Sequence, residues 1–481
     1  MRKDISSLVI VATCTLSGCS PGEANDSNTS FGGTITLGET FDPPTGSDSQ
    51  SGTTAGSGGD DTGGETGVKF DVEWADSPGV DPGGPGSCRS SEIYGASGGF
   101  PVFTDPAFAP FLERKIAIVT HNLQGQAPNY VLTIFDIDGP PPPPNMNYAA
   151  PRYNHPSWTM ETLGPIFGLT LDSDGNIYVA ATSVYSAVPP QPGTIKRIDR
   201  VTGAITDFAT LPNNGPAIGN INYDCVSETI YASNHEDGRI YQIEMNGDIR
   251  STFHHATMTV TMGPANDPGE PDGQFAPLGQ RPWAVQSHAG RLYYSLWVEH
   301  SFGSDPARDN EVWSVGYADD TGVPDPATAK YEFSLPANSP PVSDISFAHT
   351  GWMLVAQRTM NGDSSTGAHQ STTFEYDYEG GTWVSQGTTY IVGELLPYSA
   401  AGGVDHDFKP DGYVWMTGDA LDFYTPDVVY GLQGTPYGGG GIEVSTLIDL
   451  DGEITSQDKT TLGDVELPIP GDVDPVPPPV G

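Results

Sequence analysis

Basic residues are scarce in this chain: 19 Lys and Arg stand against 61 Asp and Glu, giving a formal net charge of −42 over 481 residues. A field of that sign repels phosphate backbones and anionic headgroups, which excludes nucleic acid as a partner and favours divalent cations or basic proteins. Acidity of this kind also serves solubility with no ligand implied. Long apolar runs are missing too. Beyond the first twenty residues no stretch approaches the ~18 apolar residues that a membrane helix needs, so the rest is expected to be soluble. With 60 Gly and 44 Pro, turns and linkers take a large share and long helices are not expected. Cysteine is limited to Cys14, Cys19, Cys88 and Cys225.

The opening "MRKDISSLVIVATCTLSGCS" has a basic start (Arg2, Lys3), a short apolar stretch and small residues before Cys19. "LSGC" resembles the bacterial lipobox, which implies cleavage after residue 18 and lipidation of Cys19. The alternative is an ordinary secretory signal cut nearby. Ser20 rather than Asp after Cys19 favours sorting to the outer membrane or cell surface if the host is Gram-negative. Cys14 would leave with the signal. Cys88 and Cys225 would then remain in an oxidising compartment, as a disulfide staple or as two isolated thiols.

Residues 19–85 are dominated by Gly, Ser, Thr and Asp, a composition that buries too little apolar surface to offset its ordering entropy. A disordered tether is expected there, and a second disordered, proline-rich end at 469–481. Residues 86–468 form the folded part. Within it a strand following a turn recurs: "RKIAIVTH" (114–121), "GNIYVAAT" (175–182), "ETIYASNH" (228–235), "GRLYYSLW" (290–297), "GWMLVAQR" (351–358) and "GYVWMTGD" (412–419). Their last residues are 61, 53, 62, 61 and 61 positions apart. Such a period marks a repeat architecture. Further strand pairs follow, clearest in "GTIKRIDRVTGAITDFATL" (193–211) and "GRIYQIEMNGDIRSTF" (238–253).

Four strands per unit and six units predict an all-β, six-bladed β-propeller, because radial repetition leaves only short protected edges. Seven blades is the alternative, if 91–110 or 442–470 supplies another set. "KTTLGDVEL" (459–467) is the candidate strand for closing the ring. The unit "GLTLDSDGNIYVA…GTIKRID…TGAITDF" resembles the NHL, gluconolactonase-like and streptogramin-lyase-like propeller superfamily, over roughly residues 110–455. That superfamily holds both enzymes and pure binders.

The register places two rings at one mouth of the axis. Second-strand ends supply His121, Thr182, His235, Trp297, Arg358 and Asp419. First strands supply Gly168, Ile221, Trp283, Asp344 and Asp405, with the first unit's member unassigned. His121, Trp297, Arg358 and Asp419 are the candidate ligand contacts. Asp344 and Asp405 sit at matching places in neighbouring units and would suit Ca2+, which takes six to eight oxygen ligands; otherwise they cap strand starts or bond amides across blades. His235 with Glu236 is the candidate acid–base pair, able to remove a proton alpha to a carbonyl or to activate water. By the resemblance, gluconolactonase-like enzymes set Glu, Asn and Asp residues around Ca2+, and streptogramin-type lyases use a histidine with a Mg2+-binding acid. "DSDGN" (172–176) and "DLDGE" (449–453) look like fragments of calcium loops but read first as turns. The five prolines of "DIDGPPPPPNMN" (136–147) read as a stiff spacer. The leading expectation is a lipid-anchored module that binds a protein, polysaccharide or small molecule at the mouth. Its rival is a metal-dependent hydrolase or lyase.

Overall fold

The computed structural model describes residues 99–468, apart from 113, 124–127, 140–145, 302–308, 349–350, 388–389, 408–411, 424–427 and 453–459. The chain divides into residues 1–70 and 71–481, and every described residue belongs to the second unit. Cys19, Cys88, the tether and the tail lie outside the described residues.

Six sheets of four or five strands make up the fold. Their innermost strands are Thr460–Glu466 (blade 1), Ile166–Leu171 (blade 2), Ile218–Asp224 (blade 3), Arg281–His288 (blade 4), Val342–Phe347 (blade 5) and Ala400–His406 (blade 6). Each contacts the next, and the circle closes between Thr460–Glu466 and Ile166–Leu171. This is a six-bladed propeller.

Neither region considered for a seventh blade forms one. Residues 99–111 lie over blades 1 and 2, where Val102 and Thr104 donate to the carbonyls of Arg200 and Val201, and Phe103, Phe108 and Phe111 pack on Tyr153 and Trp158. The other region is divided: Thr446–Asp449 is an outer strand of blade 6, and Thr460–Glu466 pairs antiparallel with Ile116–Leu123 as the expected closing strand. A second tie crosses the same seam. Met146–Tyr148, which follows the proline run, adds a parallel fifth strand to blade 6.

Side-chain alternation explains why the strands pack this way. Ile116 and Ile118 face blade 2, whereas Ala117 and Val119 face blade 6. Successive residues of a strand point to opposite faces, so every inner blade strand feeds two neighbouring cores. Six such cores lie between the six pairs of adjacent blades. Inner strands are therefore buried on both faces, as in Ile218–Asp224, while an outer strand such as Ile205–Thr210 exposes Thr206 and Asp207.

In all six blades the pairing of the innermost strand with the second slips register once, for example between Val342 and Asp344 and between Ala400 and Val404. A bulge bends a strand and re-aims a side chain, and in blades 1, 3, 5 and 6 a polar residue at or beside it, Asp464, Asn220, Asp344 or Asp405, reaches a neighbouring blade.

Candidate functional site

The bulges organise the axis through one repeated bond pattern. In blade 6 the Asp405 Oδ1 accepts the next amide, His406 N (2.7 Å), and Oδ2 accepts Leu467 N (2.8 Å) just beyond the closing strand. Asp344 of blade 5 does the same with Ile345 N (2.8 Å) and with Val404 N of blade 6 (2.8 Å). Asp464 of blade 1 repeats it with Val465 N (2.9 Å) and Leu169 N of blade 2 (3.1 Å). Asn220 occupies the position in blade 3, accepting Ile221 N (2.7 Å) and donating to Ser343 O (3.1 Å). A hydroxyl relay runs beside it. Ser233, Ser295, Thr417 and Thr120 each accept an inner-strand amide of their own blade and donate to an inner-strand carbonyl of the next.

Asp344 and Asp405 therefore converge on the axis as expected, but their oxygens serve backbone amides across blades, and the pair does not fit a Ca2+ site. Asp344 is also hydrogen-bonded to Asp464, whose carboxyl burial pushes far above the usual range. Burial likewise raises Asp405 to about 8. Asp464 is the first unit's member, which the sequence left unassigned. The signal was present: it follows Asp405 at almost the interval by which Asp405 follows Asp344.

The mouth itself is filled. Tyr185 reaches from the blade 2 loop to donate to Leu462 O of blade 1 (3.0 Å), and packs with Phe167, Trp283, Trp297 and Met360. A small hairpin, Met360–Gly362 with Ser365–Thr366, spans from blade 5 to the opposite blade 2, where Ser365 bridges Tyr185 and Ser364 O accepts the Ser186 hydroxyl (2.7 Å). Asp363 on its turn pairs with Arg281 of blade 4 (2.8 Å). The hairpin and Tyr185 do not belong to the repeat, so periodicity does not announce them, whereas Trp283 and Trp297 are ring positions of the register.

Against that geometry the expected ligand ring is corrected. His121, Trp297, Arg358 and Asp419 are all buried. Arg358 and Asp419 do meet, as an ion pair of 3.1 Å between blades 5 and 6, with Arg358 also donating to Ala401 O (2.8 Å). Burial raises Asp419 to about 6, with Arg358 opposing. His121 lies apart and bonds Thr133 of its own blade (2.7 Å), and burial lowers its imidazole to about 3.

The His235–Glu236 pair is corrected as well. His235 is fully buried against Trp283, Trp297 and Phe275, neither ring nitrogen has a hydrogen-bond partner among the described residues, and burial holds its basicity well below the usual value with Arg281 adding to the effect. A proton carrier needs access to a proton. Glu236 instead anchors two loops, accepting the amides of Asn214 (2.5 Å) and Gly273. It lies with Glu270 and Asp272 in one cluster of carboxylate oxygens within 4.8 Å.

On the opposite face the "DSDGN" turn closes around Asp172, whose oxygens accept Asp174 N, Asn176 N, Asn176 Nδ2 and the Tyr178 hydroxyl. Beside it is a cleft of about 380 Å³ that also includes Arg197, Tyr223 and Glu228. Cys225 is disulfide-bonded; its expected partner, Cys88, lies outside the described residues.

No family model and no curated protein matches the chain. Among solved structures it is similar to a protein described as a putative 6-phosphogluconolactonase from Bacteroides uniformis, at 13% identity over 73% of this chain and 100% of the other, with a TM-score of 0.38. A gluconolactonase from Xanthomonas campestris aligns at 11% identity over 61% and 90% of the two chains, TM-score 0.34. Virginiamycin B lyase from Staphylococcus aureus aligns at 12% identity over 57% and 68%, TM-score 0.31.

Proposed function

We propose that this chain is a lipid-anchored, extracytoplasmic propeller, held at the outer membrane or cell surface through Cys19, that works as a binding or scaffold module rather than through chemistry in its axial channel. The observation that carries this reading is the division of labour at the mouth. The axis is filled by Tyr185, Phe167, Trp283 and Trp297, while the insertions at 181–194, 357–373 and 385–400 leave from the mouth face and 262–281 runs back to it. Insertions gathered on one face of a repeat protein are the usual means of building a binding surface. The partner is a protein, polysaccharide or small molecule, and the charge of −42 argues against nucleic acid. No helix of the described residues is long and apolar enough to cross a membrane, so attachment falls to the lipid on Cys19.

Site-specific photocrosslinking in the intact envelope tests the reading. A photoreactive residue at Val188 on the mouth face should give adducts, and one at Met262 on the outer edge of blade 3 should not. Cys19→Ser should release the protein from the membrane fraction. Equal adducts from both positions, or membrane retention of Cys19→Ser, would overturn it.

A further inference from the structure

One corner of the mouth face stands out on two independent counts. Of eleven exposed large hydrophobic side chains among the described residues, four lie there: Leu395 (42% exposed), Leu396 (69%), Tyr398 (45%) and Phe423 (42%). Three of nine non-glycine residues with positive φ also converge on it, namely His369 (63°), Leu396 (55°) and Ala420 (49°). The segments are joined. Phe423 N donates to Glu394 Oε2 (3.2 Å), Glu394 N to Leu421 O (2.8 Å) and Ser371 N to Tyr398 O (3.1 Å), while the His369 and Phe423 rings lie 6.1 Å apart.

A leucine gains nothing from the left-handed region, which crowds its Cβ, and gains nothing from water. Folding alone therefore does not account for Leu396, and strained, exposed apolar groups of this kind gather at ligand clamps. Charge identifies the occupant. Exposed Glu394 and buried Asp422 lie close enough to repel one another, and no ion pair with a cation is formed by either among the described residues. The chain's own remaining segments do not supply one. Residues 19–98 carry only Lys69 and Arg89 among many acids, 469–481 carry no basic residue, and a second copy brings another −42.

We infer that the blade 5–blade 6 corner of the mouth face docks a basic, amphipathic segment of a different protein, its apolar side chains on Leu395, Leu396, Tyr398 and Phe423 and its cations beside Glu394 and Asp422. The inference rests on the mouth face being the binding face. It names the partner's chemistry.

The probe is a fluorescein-labelled amphipathic peptide of leucine and lysine, titrated by anisotropy against the full chain, with a leucine–glutamate counterpart beside it. Asn tolerates the left-handed region, so Leu395→Ser/Leu396→Asn removes the apolar surface without straining the loop. The lysine peptide should bind, the double variant should weaken it about tenfold or more, and Met262→Ser should change nothing. An unchanged affinity in the double variant would mean diffuse attraction to an acidic surface and would overturn the proposal, as would no binding at all. Binding of the glutamate peptide that depends on Leu396 would overturn the basic partner while leaving the binding face in place. Failure of the binding face itself is read separately, from the Val188 and Met262 crosslinks.

Discussion

Asp344 of blade 5 and Asp464 of blade 1 are hydrogen-bonded carboxyl to carboxyl across the axis, which requires one of them to hold a proton. With Asp405, held at about 8 by burial, they give the fold a defined pH dependence. Each group releases its proton near pH 4 in the unfolded chain and well above that in the native state. At these groups the native state thus binds more protons between about pH 4 and 8, and their contribution falls as pH rises through that window. It is fully present below the unfolded value. Asp199, Asp267 and Asp319 shift the other way, but they lie at the surface and weigh little. The buried imidazoles of His121, His235 and His288, held below the usual value by burial, oppose the carboxyls up to about pH 6.5. Above that the carboxyls act alone, so thermal unfolding should show the melting temperature dropping between about pH 7 and 8, and Asp405→Asn should flatten that fall. A melting temperature that rises from about pH 7 to 8 would contradict the buried protons.

The Arg358–Asp419 pair makes a different claim, that a ligand ring read from register is inter-blade core. Removing one member of a buried pair strands the other charge and costs about 3–5 kcal/mol, whereas replacing both with apolar residues is often neutral. Arg358→Met should therefore be severely destabilised in urea titration, and Arg358→Met/Asp419→Leu should recover most of the loss. A double variant no better than the single one would point to a separate role for Arg358.

His235 offers the sharpest test against catalysis. Both ring nitrogens are buried without partners among the described residues, so a phenyl ring removes a desolvation cost while keeping the aromatic contacts to Trp283 and Trp297. His235→Phe should hold or raise stability by about 1–2 kcal/mol and leave the mouth-face crosslinks unchanged. A marked loss of stability or of partner adducts would restore a polar role to this imidazole.

These residues also show what the chain discloses before it is folded. Six blades were legible because the turn and the strand after it repeat at a nearly fixed interval, and Thr460–Glu466 was legible as a candidate closing strand because a terminal strand can complete a blade. The convergence of Asp344 and Asp405 followed from the same register. Their chemistry did not. A ring position reads identically whether the axis is open or filled, and two of the residues that fill it, Tyr185 and Met360, come from insertions between the repeated strands, which the period does not index. Asp464 escaped for a topological reason: the first blade takes its innermost strand from the far end of the chain.

That topology leads to a prediction at the seam. The inner strands approach the axis so closely that a side chain at Gly403 has nowhere to go: a Cβ there would lie 2.6 Å from Gly463 O and 2.8 Å from Asp464 Cα. Both obstacles are backbone, and backbone cannot rotate away as a side chain does. Gly403→Ala should push blade 6 from the closing strand, lengthening the Leu467 N to Asp405 and Thr417 Oγ1 to Gly463 O bonds that depend on their spacing. The expected cost is about 2–4 kcal/mol, in the range of other overpacked or strained core positions. Hydrogen exchange locates it. Protection should fall first in Thr460–Glu466 and Ile116–Leu123, which share the seam, while blades 3 and 4 keep theirs. Uniform loss over all six blades would mean that the ring unfolds as one body and that the seam is no weaker than any other joint.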